Sequence, residues 1–186
     1  MKKPIVINLS GPPGSGKSTG AAYLFYKLKT FGVNCELVTE FAKDKTWEHN
    51  MKALDVQEYV FGKQSYRMAR CRDDVDVIIT DSPLPIGLAY NHNPVLGEHF
   101  TKVVMDVFNT YENMNFLLNR VKQYNPKGRN QSEEESTAIG KQLRDMYDSR
   151  GINYEVVDGC EEGYDYILTQ FLDHYGKTVG ITWCDI

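Results

Sequence analysis

The stretch SGPPGSGKST, from Ser10 to Thr19, decides the fold of this chain. Its glycines, lysine and serine match the spacing G-x-x-x-x-G-K-S in full. An apolar run, residues 4–10 (PIVINLS), precedes the match, and residues 17–30, with apolar side chains at helical spacing, follow it. This order predicts a buried strand, a glycine-rich turn and a helix, which is the context that gives the pattern its meaning.

The residue types of this stretch suit a loop that holds phosphate groups with its backbone. Its glycines lack the β-carbon that would hinder inward-pointing N–H groups, and the helix that follows adds unpaired N–H groups of its own. Lys17 places a positive charge against the β- and γ-phosphates, and the hydroxyl of Ser18 is a ligand for Mg²⁺. We therefore predict that the loop binds the triphosphate of a nucleotide, rather than being a plain glycine turn. The predicted binding residues are Gly11, Gly14, Ser15, Gly16, Lys17, Ser18 and Thr19.

Apolar runs alternate with longer amphipathic segments along the chain. Strands are predicted at residues 4–10, 34–39, 75–80, 115–119 and 154–157, and helices at 17–30, 53–73, 100–111, 132–150 and 164–174. This alternation predicts an α/β fold, the three-layer sandwich of P-loop NTPases, with an open five-stranded parallel sheet and helices on both faces. Ser132 and Glu135 form a capping-box pattern. The tail, residues 177–186, is a further candidate for an edge strand.

Length and composition favour one compact domain, residues 1–186. Hydrophobic residues make up 41% and charged residues 25%, and the net charge of −4 gives no general attraction to nucleic acid, although a local basic groove stays open. The apolar run at the N-terminus is too short for a signal peptide or a membrane span. The four cysteines are scattered, which favours free thiols in a reducing compartment. We therefore expect a cytoplasmic protein without a membrane partner.

Two carboxylates follow predicted strands, where parallel α/β sheets place their ligands. Asp81 comes directly after the apolar run VDVIIT, which favours a ligand of the magnesium ion or a residue near the attacking group. Glu40 ends the second strand, in LVTEFAK, and could take a proton from a substrate hydroxyl. The alternatives are a turn-forming aspartate and a solvated surface glutamate.

Cations cluster after the fourth predicted strand. Arg120 ends that strand, and Lys122, Lys127 and Arg129 follow in a segment interrupted by proline and glycine. This composition is typical of a mobile lid, here at about residues 120–132, that carries positive charge over the transferred phosphoryl group. An ordinary polar loop is the alternative.

The second predicted helix carries candidate acceptor-binding residues. Arg67 could grip an anionic acceptor, and Gln64 could read a base edge by paired hydrogen bonds. With Glu40, they form the predicted substrate-binding set. The alternatives are that the arginine lies on a solvated face and that the aromatic residues of this helix pack in the core.

The segments GPPGSGKST, LVTEFAK, VDVIITDSP and FLLNRVKQYNPKGRNQSEEE together resemble small P-loop kinases related to the ribosylnicotinamide kinase domain. They are more similar still to AAA-type ATP-binding proteins of phage genomes, a group that includes kinases of hydroxymethylated pyrimidines, such as 5-hydroxymethyluracil, in DNA. The resemblance covers about residues 3–160. It implies a phage-encoded protein of the host cytoplasm that takes part in DNA modification.

The resemblance also implies site roles. ATP and Mg²⁺ would be bound by Lys17 and Ser18, Asp81 would act near the metal or as base, and Arg120 and Arg129 would approach the phosphates. Deoxynucleoside kinases often carry an acid-Arg-Ser motif after the third strand. Residues 81–83 here are Asp-Ser-Pro, which leaves the acceptor open.

Two functions of different class remain. The first is a kinase that transfers the γ-phosphoryl group of ATP to a hydroxyl of a nucleoside, a nucleotide or a modified base, including one within DNA, with Asp81 or Glu40 as base. The second is a nucleotide-switched regulatory protein that has no acceptor. A ring-type motor ATPase is disfavoured because a chain of 186 residues leaves little room for an accessory domain.

Overall fold

The computed structural model describes residues 3–91, 93–125 and 132–179. Five strands form one sheet in the order β2-β3-β1-β4-β5, and all neighbouring strands are parallel. The strands are β1 (Ile5–Ser10), β2 (Cys35–Val38), β3 (Val77–Thr80), β4 (Glu112–Asn119) and β5 (Glu155–Asp158). The helices are α1 (Lys17–Thr30), α2 (Phe41–Trp47), α3 (Met51–Leu54), α4 (Gln57–Ala69), α5 (Ile86–Tyr90), α6 (Gly97–Phe108), α7 (Glu133–Ser149) and α8 (Glu161–Val179). The predicted α/β architecture is confirmed.

Two apolar cores lie on opposite faces of the sheet, because alternate residues of each strand point to opposite sides. On one face, Ile7 and Ile79 pack with Leu24 of α1 and Phe171 of α8. On the other face, residues of α4, α6 and α7 cover the sheet; these include Met68, Phe108, Leu143 and Tyr147. β1 lies at the centre and is buried along its whole length, as its apolar sequence predicts.

The register of the strands aligns their carboxyl ends at one edge of the sheet. Ser10, the last residue of β1, pairs with Leu117 of β4, and Asn8 pairs with Thr80 of β3. The loops that follow β1, β3 and β4 therefore emerge side by side, and these loops carry the residues predicted to act.

Several elements differ from the predictions. The short helices α2 and α5 were not predicted, because elements of seven and five residues are too short to show a helical period. The predicted helix 53–73 divides into α3 and α4 around residues 55–56, and the predicted helix 100–111 starts and ends about three residues earlier. β4 begins at Glu112, three residues earlier than predicted, where its pairing with Ile5 of β1 starts.

The structure describes only the first three residues, 177–179, of the edge strand predicted at the C-terminus. Helix α8 extends through Val179, so the first residues of the predicted edge strand are helical. Residues 180–186 lie outside the described residues. The capping box at Ser132 and Glu135 is confirmed, with both of its hydrogen bonds. None of the described helices is both long enough and apolar enough to cross a bilayer.

Candidate functional site

The loop between β1 and α1 has the backbone that its glycines predict. Gly11, Gly14 and Gly16 have φ angles of 141°, 84° and 94°, which lie in the region that favours glycine. A β-carbon on Gly11 would also lie 2.6 Å from the carbonyl oxygen of Leu118. Any other residue there would be strained, so this conformation of the phosphate-binding motif requires glycine.

Lys17 lies over its own loop. Its Nζ donates to the carbonyl oxygens of Gly11 at 2.8 Å and Pro12 at 3.1 Å. The first turn of α1 contains no acidic residue, so no carboxylate of the helix itself opposes the positive end of its dipole. Ser18 lies in the same turn. This arrangement suits the binding of an anion at the start of α1.

The structure brings the two predicted carboxylates together. The backbone N–H of Glu40 donates to Oδ1 of Asp81 at 2.9 Å, and Asp81 is only 3% exposed. Glu40 is half-buried. Burial raises the pKa of its carboxyl above the ordinary value, and the Asp81 carboxylate raises it further, while the charge of Lys17 lowers it. Lys17 and both acids thus share one electrostatic environment.

Tyr90, at the end of α5, is a neighbour of the candidate site that the sequence did not indicate. Burial raises the pKa of its hydroxyl, and so does the charge of Glu40. Tyr90 therefore lies near the carboxylate that is a candidate base. No signal in the sequence could have found it, because α5 has no helical period and Tyr90 is 50 residues from Glu40 along the chain.

Gln64 and Arg67 hold the turn that presents Glu40. The side-chain amide of Gln64 accepts from the N–H of Phe41 at 2.9 Å and donates to the carbonyl of Thr39 at 3.4 Å. Arg67 donates to the same carbonyl at 3.1 Å and forms an ion pair with Asp44. These contacts lie on both sides of Glu40. The predicted role of the two residues in binding substrate stays a prediction, and their observed contacts are structural.

Arg120 lies between β4 and α7. Its guanidinium pairs with Glu133 at 2.9 Å, donates to Oγ of Ser136 at 3.4 Å and stacks over the ring of Tyr124. Ser136 in turn donates to the carbonyl of Pro13 at 2.8 Å, which connects this arginine to the phosphate-binding loop. Residues 126–131 of the predicted lid, which include Lys127 and Arg129, lie outside the described residues. The lid therefore stays a prediction.

A cavity of about 310 Å³ opens beside the loop, between β4 and α7. Arg120, Lys141 and Arg144 line it, together with Pro12 of the loop, and none of its described lining residues is acidic. Nη2 of Arg144 donates to Oδ1 of Asn119 at 2.9 Å. The cavity therefore combines a largely apolar lining with three cationic side chains, and its size suits part of a nucleotide.

The oxygen atoms of the site suit a Mg²⁺ ion that is bound together with the phosphates of a nucleotide. Among the described residues, no group of three or more His, Cys, Asp or Glu side chains could hold a metal ion alone. The hydroxyl of Ser18 and the carboxylate of Asp81 are oxygen donors, which Mg²⁺ prefers, and it usually takes only one or two such ligands from a protein. We infer that the remaining ligands would be water and the phosphates of the nucleotide.

Comparison with known proteins agrees with this geometry. A family model described as an AAA domain matches residues 6–162. No curated protein matches the chain. Among solved structures, thymidylate kinase from Ehrlichia chaffeensis superimposes with a TM-score of 0.60, covering 93% of this chain and 99% of that chain at 14% sequence identity. At that identity, the likeness shows the shared fold.

Proposed function

Because this chain belongs to the AAA domain family, we propose that its P-loop serves an ATP- and Mg²⁺-dependent kinase. The acceptor would be a hydroxyl on a nucleoside, a nucleotide or a modified pyrimidine base, including one within DNA. The observation that carries the proposal is the contact between Glu40 and Asp81 in the neighbourhood of Lys17. A protein that only binds a nucleotide has no need of a half-buried carboxylate with a raised pKa there.

We assign the role of base to Glu40. Its raised pKa makes its carboxylate a better proton acceptor than an ordinary glutamate. One carboxylate oxygen of Asp81 is already bound to the N–H of Glu40, which orients this side chain for the magnesium ion rather than for the acceptor. Bound Mg²⁺ would neutralise charge on the β- and γ-phosphates.

In the proposed reaction, the γ-phosphoryl group is transferred in one step. The acceptor oxygen forms a bond to the γ-phosphorus while the bond from that phosphorus to the β–γ bridging oxygen breaks. The proton of the acceptor hydroxyl passes to the carboxylate of Glu40, and ADP leaves. Lys17, with Arg120 and Arg129 from the predicted lid, would stabilise the negative charge on the transferred group.

The acceptor is proposed on two grounds. The likeness to a thymidylate kinase supports a nucleotide as the molecule that carries the acceptor hydroxyl, and the resemblance to phage kinases supports a hydroxymethylated base in DNA. The net charge of −4 disfavours DNA, while the lysines of the predicted lid and the cluster of Arg67, Arg70 and Arg72 favour it. Binding of a DNA acceptor should weaken steeply as salt rises, whereas binding of a free nucleotide should change little.

A label-transfer assay tests the proposal. The protein is incubated with γ-labelled ATP and Mg²⁺ against nucleosides, nucleoside monophosphates, ribosylnicotinamide, and DNA with ordinary or hydroxymethylated pyrimidines. Label on one acceptor class would establish the kinase and identify the acceptor. Label released only as phosphate, or retained on ATP with every acceptor, would favour the nucleotide-switched regulatory protein.

A further inference from the structure

Two buried hydroxyls contact the phosphate-binding loop from opposite flanks. Oγ of Ser136, in α7, donates to the carbonyl of Pro13 at 2.8 Å. The hydroxyl of Tyr164, in α8, donates to the carbonyl of Gly16 at 3.0 Å. Ser136 is fully buried and Tyr164 is 3% exposed, so water cannot easily replace either hydrogen bond.

Tyr164 fits a space that only glycine leaves open. A β-carbon on Gly20, in the first turns of α1, would lie 2.6 and 2.8 Å from two ring carbons of Tyr164. A β-carbon on Gly16 would overlap the tyrosine hydroxyl. The ring also packs against Tyr23, with 5.9 Å between ring centroids. The side chain is therefore held at one position against the loop and the start of α1.

Ser136 is also held in place. Arg120 approaches its oxygen at 3.4 Å, and one turn later in α7 a β-carbon on Gly140 would lie 3.4 Å from Pro12. Helix α7 thus meets the two prolines of the loop in successive turns. Its capping box, at Ser132, fixes where the helix begins.

These contacts bear on the N–H groups that would bind phosphate. In a trans peptide, the C=O of one residue and the N–H of the next point in opposite directions. The structure contains no cis peptide among the described residues. A hydrogen bond that fixes the carbonyl of Pro13 therefore fixes the direction of the N–H of Gly14. The carbonyl of Gly16 accepts two hydrogen bonds, from the Tyr164 hydroxyl at 3.0 Å and from the N–H of Gly20 at 2.8 Å, and together they fix the direction of the N–H of Lys17.

We propose that Ser136 and Tyr164 are positioning residues that preset two N–H donors of the phosphate cradle. Neither touches the nucleotide; each acts on a carbonyl on the outer side of the loop. Without these two residues, the peptide planes of the loop would be turned away for part of the time. The apparent dissociation constant of the nucleotide would then rise, because a smaller fraction of the protein would have the loop conformation that binds phosphate. The inference rests on nucleotide binding by the P-loop, and not on the identity of the acceptor.

The test compares Ser136→Ala and Tyr164→Phe with matched controls on the same helices. Ser149→Ala removes a hydroxyl of α7 that bonds the carbonyl of Met146 at 3.0 Å, and Tyr166→Phe removes a hydroxyl of α8 that bonds Glu155 at 2.7 Å. The readouts are the dissociation constants of MgATP and of inorganic tripolyphosphate, together with the melting temperature. Tripolyphosphate probes the cradle alone, because it has no base or sugar.

Each test variant should weaken both ligands by the same factor, roughly three- to tenfold from the loss of one hydrogen bond. The double variant should weaken them by more than either single variant, and the controls should change neither constant. A lower melting temperature with unchanged dissociation constants would overturn the inference and leave the proposed kinase intact. If the wild-type protein bound neither ligand, both the inference and the proposed function would fall.

Discussion

The two sides of the candidate site are held together by different means. The donor side, the loop from Ser10 to Thr19, owes its shape to local backbone conformation, with three glycines at positive φ inside six residues. The acceptor side comprises Glu40, Gln64, Arg67 and Tyr90, which come from the start of α2 and from α4 and α5. The donor side thus takes its shape mainly from one motif, supported by hydrogen bonds from Ser136 and Tyr164, whereas the acceptor side depends entirely on tertiary packing.

This difference predicts whether a substitution should affect the use of ATP or the use of the acceptor. On the donor side, a change in Lys17 removes a group that acts directly on phosphate. On the acceptor side, Gln64 and Arg67 bond the turn around Glu40, so changing them should disturb the base indirectly. Effects on the donor side should therefore be large and confined to ATP, and effects on the acceptor side should be graded and confined to the acceptor.

The largest effect is expected for Lys17→Ala. Loss of the ammonium removes the positive charge placed against the β- and γ-phosphates, so phosphoryl transfer should fall by roughly 100-fold or more. Steady-state transfer and ATP binding both measure this. The control is Lys29→Ala, near the far end of the same helix, where the ammonium lies over the ring of Phe25. Full activity of Lys17→Ala would contradict the direct role of the donor side.

Glu40→Gln should have the next largest effect. A glutamine cannot accept the proton, so transfer should fall by about 100-fold or more, as expected for the loss of a general base. In the wild-type protein the acid limb of the pH–rate profile should lie above pH 4.5, the ordinary pKa of this carboxyl, because burial raises its pKa. Activity should rise through that limb as Glu40 loses its proton.

The residual activity of Glu40→Gln should lack this acid limb, while its affinity for ATP stays close to wild type. Glu36→Gln, four residues earlier in the chain, is the matched control, since Glu36 only approaches Arg70 at 3.8 Å. An acid limb that persists unchanged in Glu40→Gln would assign the proton transfer to another group.

Arg67→Ala should have an intermediate effect. It removes the hydrogen bond to the carbonyl of Thr39 and the ion pair with Asp44, so the turn that carries Glu40 loses part of its support. We expect a several-fold loss in kcat/KM for the acceptor, consistent with one or two polar contacts, and no change in the dissociation constant of ATP. Arg70→Ala serves as the control. An equal loss of ATP affinity would show that the two sides are not separable.

The smallest effect is expected on stability. Because the folded-state pKa of Glu40 is raised by burial, its charged form is penalised in the folded protein. Below pH 4.5, where the carboxyl is protonated in both states, Glu40→Gln and the wild-type protein should unfold with similar free energies. As pH rises through the folded-state pKa, the wild-type protein should become the less stable of the two. Thermal melts from pH 4 to pH 8 would show this, and a variant that is less stable at pH 8 would contradict it.

The sequence predicted the donor side better than the acceptor side for a physical reason. The glycines, Lys17 and Ser18 act within one turn and one helix start, so their spacing carries the geometry. The sheet was also predictable, because buried parallel strands read as apolar runs. The proximity of Glu40 to Asp81 could be anticipated only from the rule that strand ends meet at one edge.

What could not be predicted depends on tertiary packing. Gln64 of α4 forms hydrogen bonds with the backbone of Thr39 and Phe41. This turn and α4 are not adjacent in the sequence, so no local pattern indicates the contact. Ser136 and Tyr164 reach the P-loop from more than 100 residues away, with sequence separations of 123 and 148. The sequence around Ser136, which follows the capping box, and around Tyr164, in the last helix, does not indicate such contacts.

The most direct test of the account measures how ATP consumption depends on the acceptor. ADP formation from γ-labelled ATP is followed with and without the acceptor that takes up label, and the label on the acceptor is counted against the ADP formed. If the protein is a kinase, the acceptor should accelerate ADP formation, and one label should be transferred for each ADP. ADP formation that is independent of every acceptor, with all label released as phosphate, would contradict the account.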